Sequence, residues 1–436
     1  MMRCEVDEMN IRDGYMMTDL GELPIDWETV SLEKISEHIT KGSTPTTYGF
    51  NFMEEGINFI KIESINDFSG SIRFESLAKI EPECHFKFSR SQLKKNDILF
   101  AIAGAIGKCV IITDEILPAN TNQALAIIRL VQNINTVYIY YQLKGPYTQM
   151  IVDQAKTVTA QANISLTQVS QLLIPLPSKS EQQKIADILS TVDEHISETE
   201  ALIEKTKVLK QGMMQRLLTK GIGHTDFKDT EIGRIPVEWS VVKFSTLVLF
   251  QEGPGLRKWQ YTTSGIPFLN IRCIQNNSID RRSIQFISIE EYESKYKHFS
   301  LNSGDLVVSS SGTLGKKAII KTSDLPLMLN TSIIRMKTLD EKRLSMSFLN
   351  YFVESDFYQK AVTQESVGSA QANYGPYHLN KIDIILPPIE EQHRIASILT
   401  AIDDQIDSYQ TKLTTLTKLK SALMQQLLTG KTRVKI

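Results

Sequence analysis

Two stretches of the chain carry a mainly apolar series at alternating spacings of four and three, with no proline and almost no glycine between. The first series is Ile185, Leu189, Val192, Ile196, Thr199, Ile203, Thr206, Lys210, Met213 and Leu217. The second is Ile395, Leu399, Ile402, Ile406, Tyr409, Leu413, Leu416, Lys420, Leu423 and Leu427. Such spacing lines one stripe of a helix, the seam of a coiled coil. Acidic residues open both stretches, in Ser180-Glu181-Gln182-Gln183 and Glu390-Glu391-Gln392-His393, where the positive end of a helix dipole favours them. The pattern predicts two helices of about 40 residues, each on the order of 60 Å long. A lone helix of this kind would leave its stripe wet. The two are therefore expected to pack antiparallel about a pseudo-two-fold, holding globular parts at opposite ends. Lys210 and Lys420 fall on both seams; a lysine there costs stability but fixes register, or it faces a partner protein.

Outside these stretches the apolar runs are short. Val110-Ile111-Ile112, Ala126-Ile127-Ile128, Val307-Val308 and Ile333-Ile334 read as strands, while Tyr138 to Val152 and Asn350 to Val362 have helical spacing. The fold class expected is α+β: two tandem mixed α/β domains separated by two long helices that form an antiparallel coiled coil. No strand order follows from the pattern.

The tandem arrangement rests on repetition. Thr18-Asp19-Leu20-Gly21-Glu22-Leu23-Pro24-Ile25-Asp26-Trp27 returns as Thr230-Glu231-Ile232-Gly233-Arg234-Ile235-Pro236-Val237-Glu238-Trp239, an offset of 212. Asn96-Asp97-Ile98-Leu99 and Gly104-Ala105-Ile106-Gly107-Lys108 return as Gly304-Asp305-Leu306-Val307 and Gly312-Thr313-Leu314-Gly315-Lys316, offset 208. Gln161-Ala162-Asn163 returns as Gln371-Ala372-Asn373, and Pro175-Leu176-Pro177 as Ile385-Leu386-Pro387, at offset 210. Between these blocks the copies differ, as Ile57 to Pro82 does from Ile266 to Ser288. One fold carrying two different reading surfaces would give that pattern. The expected organisation is an N-terminal extension (1–17), a first domain (18–178), a helix (179–220), a second domain (221–389), a second helix (390–430) and a short tail (431–436). Met16 and Met17 sit just before the repeat, which suits an extension or a later start.

The composition, 42% hydrophobic and 22% charged, suits buried cores. No run approaches the roughly 18 apolar residues that span a bilayer, and the acidic start lacks the order of a secretory signal, so a cytoplasmic location is expected. Cys4, Cys84, Cys109 and Cys273 form no pair or cluster with histidine, which points to free thiols and to no metal. Net charge is −2 overall, and by region −2 (1–17), −4 (18–178), 0 (179–220), +2 (221–389) and +2 (390–436). No region is basic enough to grip a polyanion by itself.

Three recurring features resemble the specificity subunits of type I restriction-modification systems. These are Gly-x-x-Pro-x-x-Trp (Gly21, Pro24, Trp27; Gly233, Pro236, Trp239), the Gly-x-x-Gly-Lys loop after an Asp-Ile-Leu or Asp-Leu-Val strand, and Pro-x-x-x-Glu-Gln-x-x-Ile-Ala opening each helix (Pro177 to Ala186, Pro387 to Ala396). The resemblance runs from Thr18 to Gly430, in the family's order and twice over. It implies a non-catalytic subunit without cofactor. Such a subunit reads a split sequence in double-stranded DNA, one half per target-recognition domain, and carries two methyltransferase subunits and nuclease-helicase subunits.

Candidates for DNA contact follow from residue chemistry. Gly253 to Tyr261 combines glycines, which let backbone approach a ligand, with Arg257, Lys258 and Tyr261; its counterpart holds Lys41, Ser43 and Thr44. Asn270 and Arg272 alternate with Leu269 and Ile271, as on one face of a strand, and Lys61 stands at the matching place. Ser310, Ser311 and Thr313 offer hydroxyls before the Gly-Lys loop. Gln161, Asn163, Gln371 and Asn373 suit turn capping better than adenine contact. Enzyme readings fare worse. The Gly-Lys loops have two residues between glycines where a phosphate-binding loop needs four, and Cys109 or Lys317 replaces the hydroxyl that would hold magnesium. Asn373-Tyr374-Gly375-Pro376-Tyr377 lacks the proline pair of an amino-methyltransferase loop. The alternatives are a self-contained DNA-modifying enzyme, a coiled-coil scaffold with two non-DNA modules, and a specificity subunit of another restriction class.

Overall fold

The computed structural model describes residues 11–66, 70–158, 163–312, 314–365 and 374–435. The chain divides into two compact units, one made of Met1–Leu202 with Tyr409–Ile436 and the other of Ile203–Ser408.

In the first unit an antiparallel sheet has the order β1-β4-β2-β3, from β1 (Ser36–Lys41), β2 (Ile98–Ala101), β3 (Cys109–Ile111) and β4 (Leu125–Leu130). Helices α1 (Thr136–Lys144) and α2 (Pro146–Val158) follow, and then the long α3 (Lys179–Lys220). In the second unit β5 (Val248–Glu252), β6 (Leu306–Ser309), β7 (Lys317–Ile319) and β8 (Ile333–Thr338) repeat the order as β5-β8-β6-β7. They are followed by α4 (Met346–Phe352), α5 (Asp356–Glu365) and the long α6 (Ile389–Leu427). The strand-like runs fall in these sheets, except that Ile112 lies one residue past the end of β3. The two shorter helical stretches are each broken in two. Gly145 and Pro146 interrupt the first, because proline has no N–H to donate and disfavours helix in the residue before it. In the second, the Ser355 hydroxyl accepts from the Tyr358 N–H at 3.2 Å and starts a new helix.

A smaller sheet joins each main one. In the first unit strands 119–121, 57–60, 78–80 and 52–53 lie in that order, with 119–121 parallel to 57–60. In the second unit 261–262, 285–287 and 266–268 pair, and a single parallel bridge from Phe268 to Met328 replaces the parallel strand. The hairpin that opens the second unit pairs Phe227–Thr230 with Gly233–Pro236; the first unit pairs Tyr15–Thr18 with Gly21–Pro24. The structural repeat therefore begins at Tyr15, earlier than the sequence identity at Thr18. Only the aromatic residue survives there, so identity misses it.

The seam residues of α3 are mostly buried, with Ile185 and Leu189 at 1% and 0% exposure. Within the first unit α3 and the end of α6 run antiparallel, since Glu181 bonds Arg433 and Asp193 bonds Lys420. Within the second, Glu391 bonds the Ile222 N–H and Asp403 bonds Lys210, so the sense is the same. Both seam lysines are thus paired with carboxylates. The first core, around Trp27, Phe100, Tyr138, Ile185 and Leu189, is completed by Leu427 and Leu428 from the far end of the chain. The burial of each leucine stabilises the unit by about 2 kcal/mol. The second core, around Trp239, Phe244, Phe348, Ile395 and Leu399, takes Met214, Leu217 and Leu218 from α3.

Candidate nucleic-acid interface

Each main sheet leads into a rim where its first strand, a short turn, the Gly-Lys loop and the start of the parallel pairing come together. In the first unit β1 ends at Lys41, and the Ser43 N–H donates to the Thr121 carbonyl at 3.1 Å. A β-carbon on Gly42 would overlap that same carbonyl, so glycine is required for the close approach. The Thr44 hydroxyl donates to Gln123 Oε1 at 2.9 Å. Thr121 Oγ1 donates to the Ile60 carbonyl, which brings Lys61 alongside; its ammonium lies 4.1 Å from the centre of the Phe52 ring. Gly104 of the Gly-Lys loop stands beside Ile62. Lys41, Ser43, Thr44 and Lys61 therefore share one rim.

The second unit has the same frame. A β-carbon on Gly253 would lie 2.5 Å from the Asn330 backbone nitrogen, the counterpart of the Gly42 approach. The Pro254 carbonyl accepts from the Thr331 N–H at 3.1 Å, and Gly312 stands beside Ile271. Arg257 and Lys258 are exposed on this rim, as is Arg272. Among the described residues neither Arg257 nor Lys258 has a carboxylate partner within ion-pair distance. Nearby Asp280 accepts from Arg282, whose guanidinium holds the carboxyl down at about 2.

Several candidates stand differently from the sequence expectation. Asn270 and Arg272 do not alternate along a strand, because β-structure ends at Phe268 and Ile271–Cys273 is a 3₁₀ turn. Asn270 makes that turn: its side-chain oxygen accepts from the Arg272 N–H at 3.0 Å, and its amide donates to the Ser283 carbonyl at 3.1 Å. Tyr261 is half-buried, its ring packed 5.1 Å from that of Phe268. Ser310 is fully enclosed, with its hydroxyl out of reach of a ligand at the rim, whereas Ser311 is half-buried. Thr313 lies outside the described residues, as do Gln161, Gln371 and Asn373.

The rims differ in charge at matching places. Lys41 ends the first strand in one copy and Glu252 in the other. Burial raises the Glu252 carboxyl above its ordinary range, against the opposing hydrogen bond from Thr331. Between buried Pro45 and half-buried Phe50, the first unit exposes Thr46, Thr47, Tyr48 and Gly49; at offset 211, between buried Leu256 and buried Gln260, the second exposes Arg257, Lys258 and Trp259, with Gln260 at the place of Gly49. Sequence reasoning missed Thr46, Thr47 and Tyr48, and gave no role to Trp259 within the Gly253 to Tyr261 segment it singled out. The signal was present in the 211-residue alignment of Gly42 with Gly253, but these positions share no identity and so attract no attention.

Below the rims, a charged cluster distinguishes the copies. Buried Lys317 meets Glu354 at 2.9 Å, and Glu354 also accepts from Lys210 at 2.8 Å. Burial pushes the Lys317 ammonium down, while Lys317 and Lys210 together overcome the burial of Glu354 and hold its carboxyl low. In the first unit the same places hold Cys109, a buried thiol pushed up to about 12 by burial, and Lys144. Among the described residues no three His, Cys, Asp or Glu side chains are grouped to hold a metal, and no helix is long and apolar enough to cross a membrane.

The family described as type I restriction modification DNA specificity domain matches residues 24–208 and again 236–418. The MjaVIII type I restriction enzyme specificity subunit of Methanocaldococcus jannaschii is 29% identical over 424 residues, 95% of this chain and 94% of that one. The EcoBI specificity subunit of Escherichia coli is 27% identical over 205 residues, 45% of this chain and 41% of its own. Among solved structures, a chain from work on complex assembly and conformational transition of the type I R-M system shares the fold with a TM-score of 0.61, at 17% identity and 94% and 99% coverage. The S subunit from M. genitalium does so at 0.55, with 16% identity and 93% and 96% coverage.

Proposed function

The chain belongs to the type I restriction modification DNA specificity family, of which it carries two domain copies, and from this we propose that it is the DNA-reading subunit of a type I restriction-modification complex. Its target is a split sequence in double-stranded DNA, with one target-recognition domain, 18–178 or 221–389, on each half. It is not the catalytic subunit and needs no cofactor of its own. Two methyltransferase subunits supply the chemistry, and nuclease-helicase subunits join for cleavage. The chromosome it guards places it in the cytoplasm.

One observation carries the reading: the two rims share a backbone frame and present unlike side chains. Thr46 and Thr47 offer short hydroxyls that suit either base edges or phosphates, whereas Arg257 can fork onto a guanine edge and Lys258 can neutralise a phosphate. Lys41, Ser43, Thr44 and Lys61 add donors to the first rim, and Arg272 and Ser311 to the second. Asn270 contributes by holding Arg272 in its turn. The long helices act as the ruler between the half-sites. With a net charge of −2 the chain alone has little general attraction for phosphates, so tight binding depends on cations from the methyltransferase subunits.

The test is to combine the chain with its cognate methyltransferase subunits and map methylated adenines on random duplex DNA. A split motif with a fixed gap is expected. Methylation without sequence preference, or methylation by this chain alone, would overturn the reading.

A further inference from the structure

Trp259 is 80% exposed, whereas the other two tryptophans of the chain, Trp27 and Trp239, are each 1% exposed. An exposed indole leaves a large apolar face in water, which is unusual for a residue this size. Its segment is not a loose loop tip. Leu256 packs with Phe268, Ile287 and Met328 on one side of it. On the other side the Gln260 amide donates to Glu291 Oε1 at 2.5 Å and to the Tyr296 hydroxyl at 3.2 Å, and Gln260 Oε1 accepts from the Arg257 N–H at 2.8 Å. The three residues between these anchors are held outward with their backbone already fixed, so binding through them would order little more chain.

The first unit builds the same platform from different residues. Pro45 is the buried anchor, the Phe50 N–H donates back to its carbonyl at 3.2 Å, and Thr46, Thr47 and Tyr48 face outward. The Tyr48 ring is set edge-on to Phe88 at 5.0 Å and keeps 54% of its surface exposed. An aromatic residue thus stands third in the exposed run of both copies, followed by exposed Gly49 in the first and buried Gln260 in the second, while the two residues before it change from Thr-Thr to Arg-Lys.

We propose that Tyr48 and Trp259 are equivalent aromatic contacts with duplex DNA, one per half-site. Each lies flat against base and sugar edges in a groove and positions the residue pair before it to discriminate sequence. This rests on the DNA-reading function proposed above and names residues within it. The pairs decide between DNA and protein as the ligand. A methyltransferase that docks twice requires two like surfaces, and Thr46-Thr47 is unlike Arg257-Lys258. Two different half-sites require unlike pairs on a like frame, which is what the two triplets present.

The experiment uses the full chain assembled with its methyltransferase subunits and a labelled duplex carrying the mapped target. Trp259→Ala should weaken binding by roughly tenfold or more, as loss of a buried aromatic anchor does, while Trp259→Phe recovers most of it. The slope of log affinity against log salt should stay unchanged in Trp259→Ala, but fall by about one in the double variant Arg257→Thr/Lys258→Thr, because only the latter removes the Lys258 phosphate contact. Tyr48→Ala should behave as Trp259→Ala does. Unchanged affinity in both aromatic variants would overturn the assignment. So would a Trp259→Ala chain that no longer assembles with the methyltransferase, which would make the indole a protein contact. A wild-type complex with no sequence preference would instead sink the functional reading, and this assignment with it.

Discussion

The second unit is made from one continuous stretch, whereas the first is assembled from both ends of the chain. Yet the two solve the same packing problem. Each buries a tryptophan whose indole N–H donates to the first-turn glutamate of a long helix: Trp27 to Glu181 at 3.2 Å and Trp239 to Glu391 at 2.8 Å. Each also closes that glutamate with a group just past the end of the other helix, Arg433 in the first unit and His224 in the second. What lies between differs freely, including charge at the rim and in the cluster beneath it. The lesson is that the helix junctions carry the architecture and the rims are left to vary.

The largest effect should come from cutting the chain where the units exchange segments. Residues 203–408 expressed alone should unfold cooperatively in denaturant, since Met214, Leu217 and Leu218 remain with their core. Residues 1–202 alone should not, because Leu427 and Leu428 are gone and Ile185 and Leu189 are left wet; adding a peptide of residues 409–436 should restore a transition. A cooperative fold for 1–202 by itself would show that the far end is dispensable.

Next in size are the two buried glutamates. Glu391→Ala removes the acceptor for Trp239, His224 and the Ile222 N–H, and should destabilise the second unit by about 3 kcal/mol or more. Glu181→Ala should cost less, about 2 kcal/mol, because Arg433 keeps its bidentate bond to Asp26. Equal losses in urea titrations would break the distinction between the junctions.

The smallest effect expected is in the cluster. Lys317→Cys and Glu354→Lys, which install the residues of the first unit, should each destabilise alone and partly rescue each other, with a coupling of about 1 kcal/mol. The same cluster sets a pH dependence. Glu354 titrates below its unfolded value, so its stabilisation is complete above roughly pH 4.3 and is lost as pH falls through the lower folded value. An acid titration of fragment 203–408 should therefore show a loss that Glu354→Gln removes; an identical acid limb in both would contradict it.

Much of this architecture was legible in the residues themselves. The seam spacing gave the two helices, and the near-constant offset gave the duplication, because both are local or periodic signals. The return of Leu427 and Leu428 to the first core was not legible, since an apolar stripe does not name its partner. Nor was the Lys317–Glu354 pair, which joins residues far apart in sequence and replaces Cys109 and Lys144 together. At the rim, glycine and charge located Arg257 and Lys258, but period-two reasoning failed at Asn270, whose side chain caps a turn and ends the strand. Ser310 looked like surface from its hydroxyl alone, and its burial depends on the strands packed around it.

The central claim is that two independent readers sit on one conserved frame. It is tested most directly by replacing residues 18–178 with the corresponding domain of another family member, keeping α3 and α6, and mapping methylated adenines with the same methyltransferase. The account predicts a new sequence in one half of the motif, with the other half and the gap unchanged. A change in both halves would contradict it.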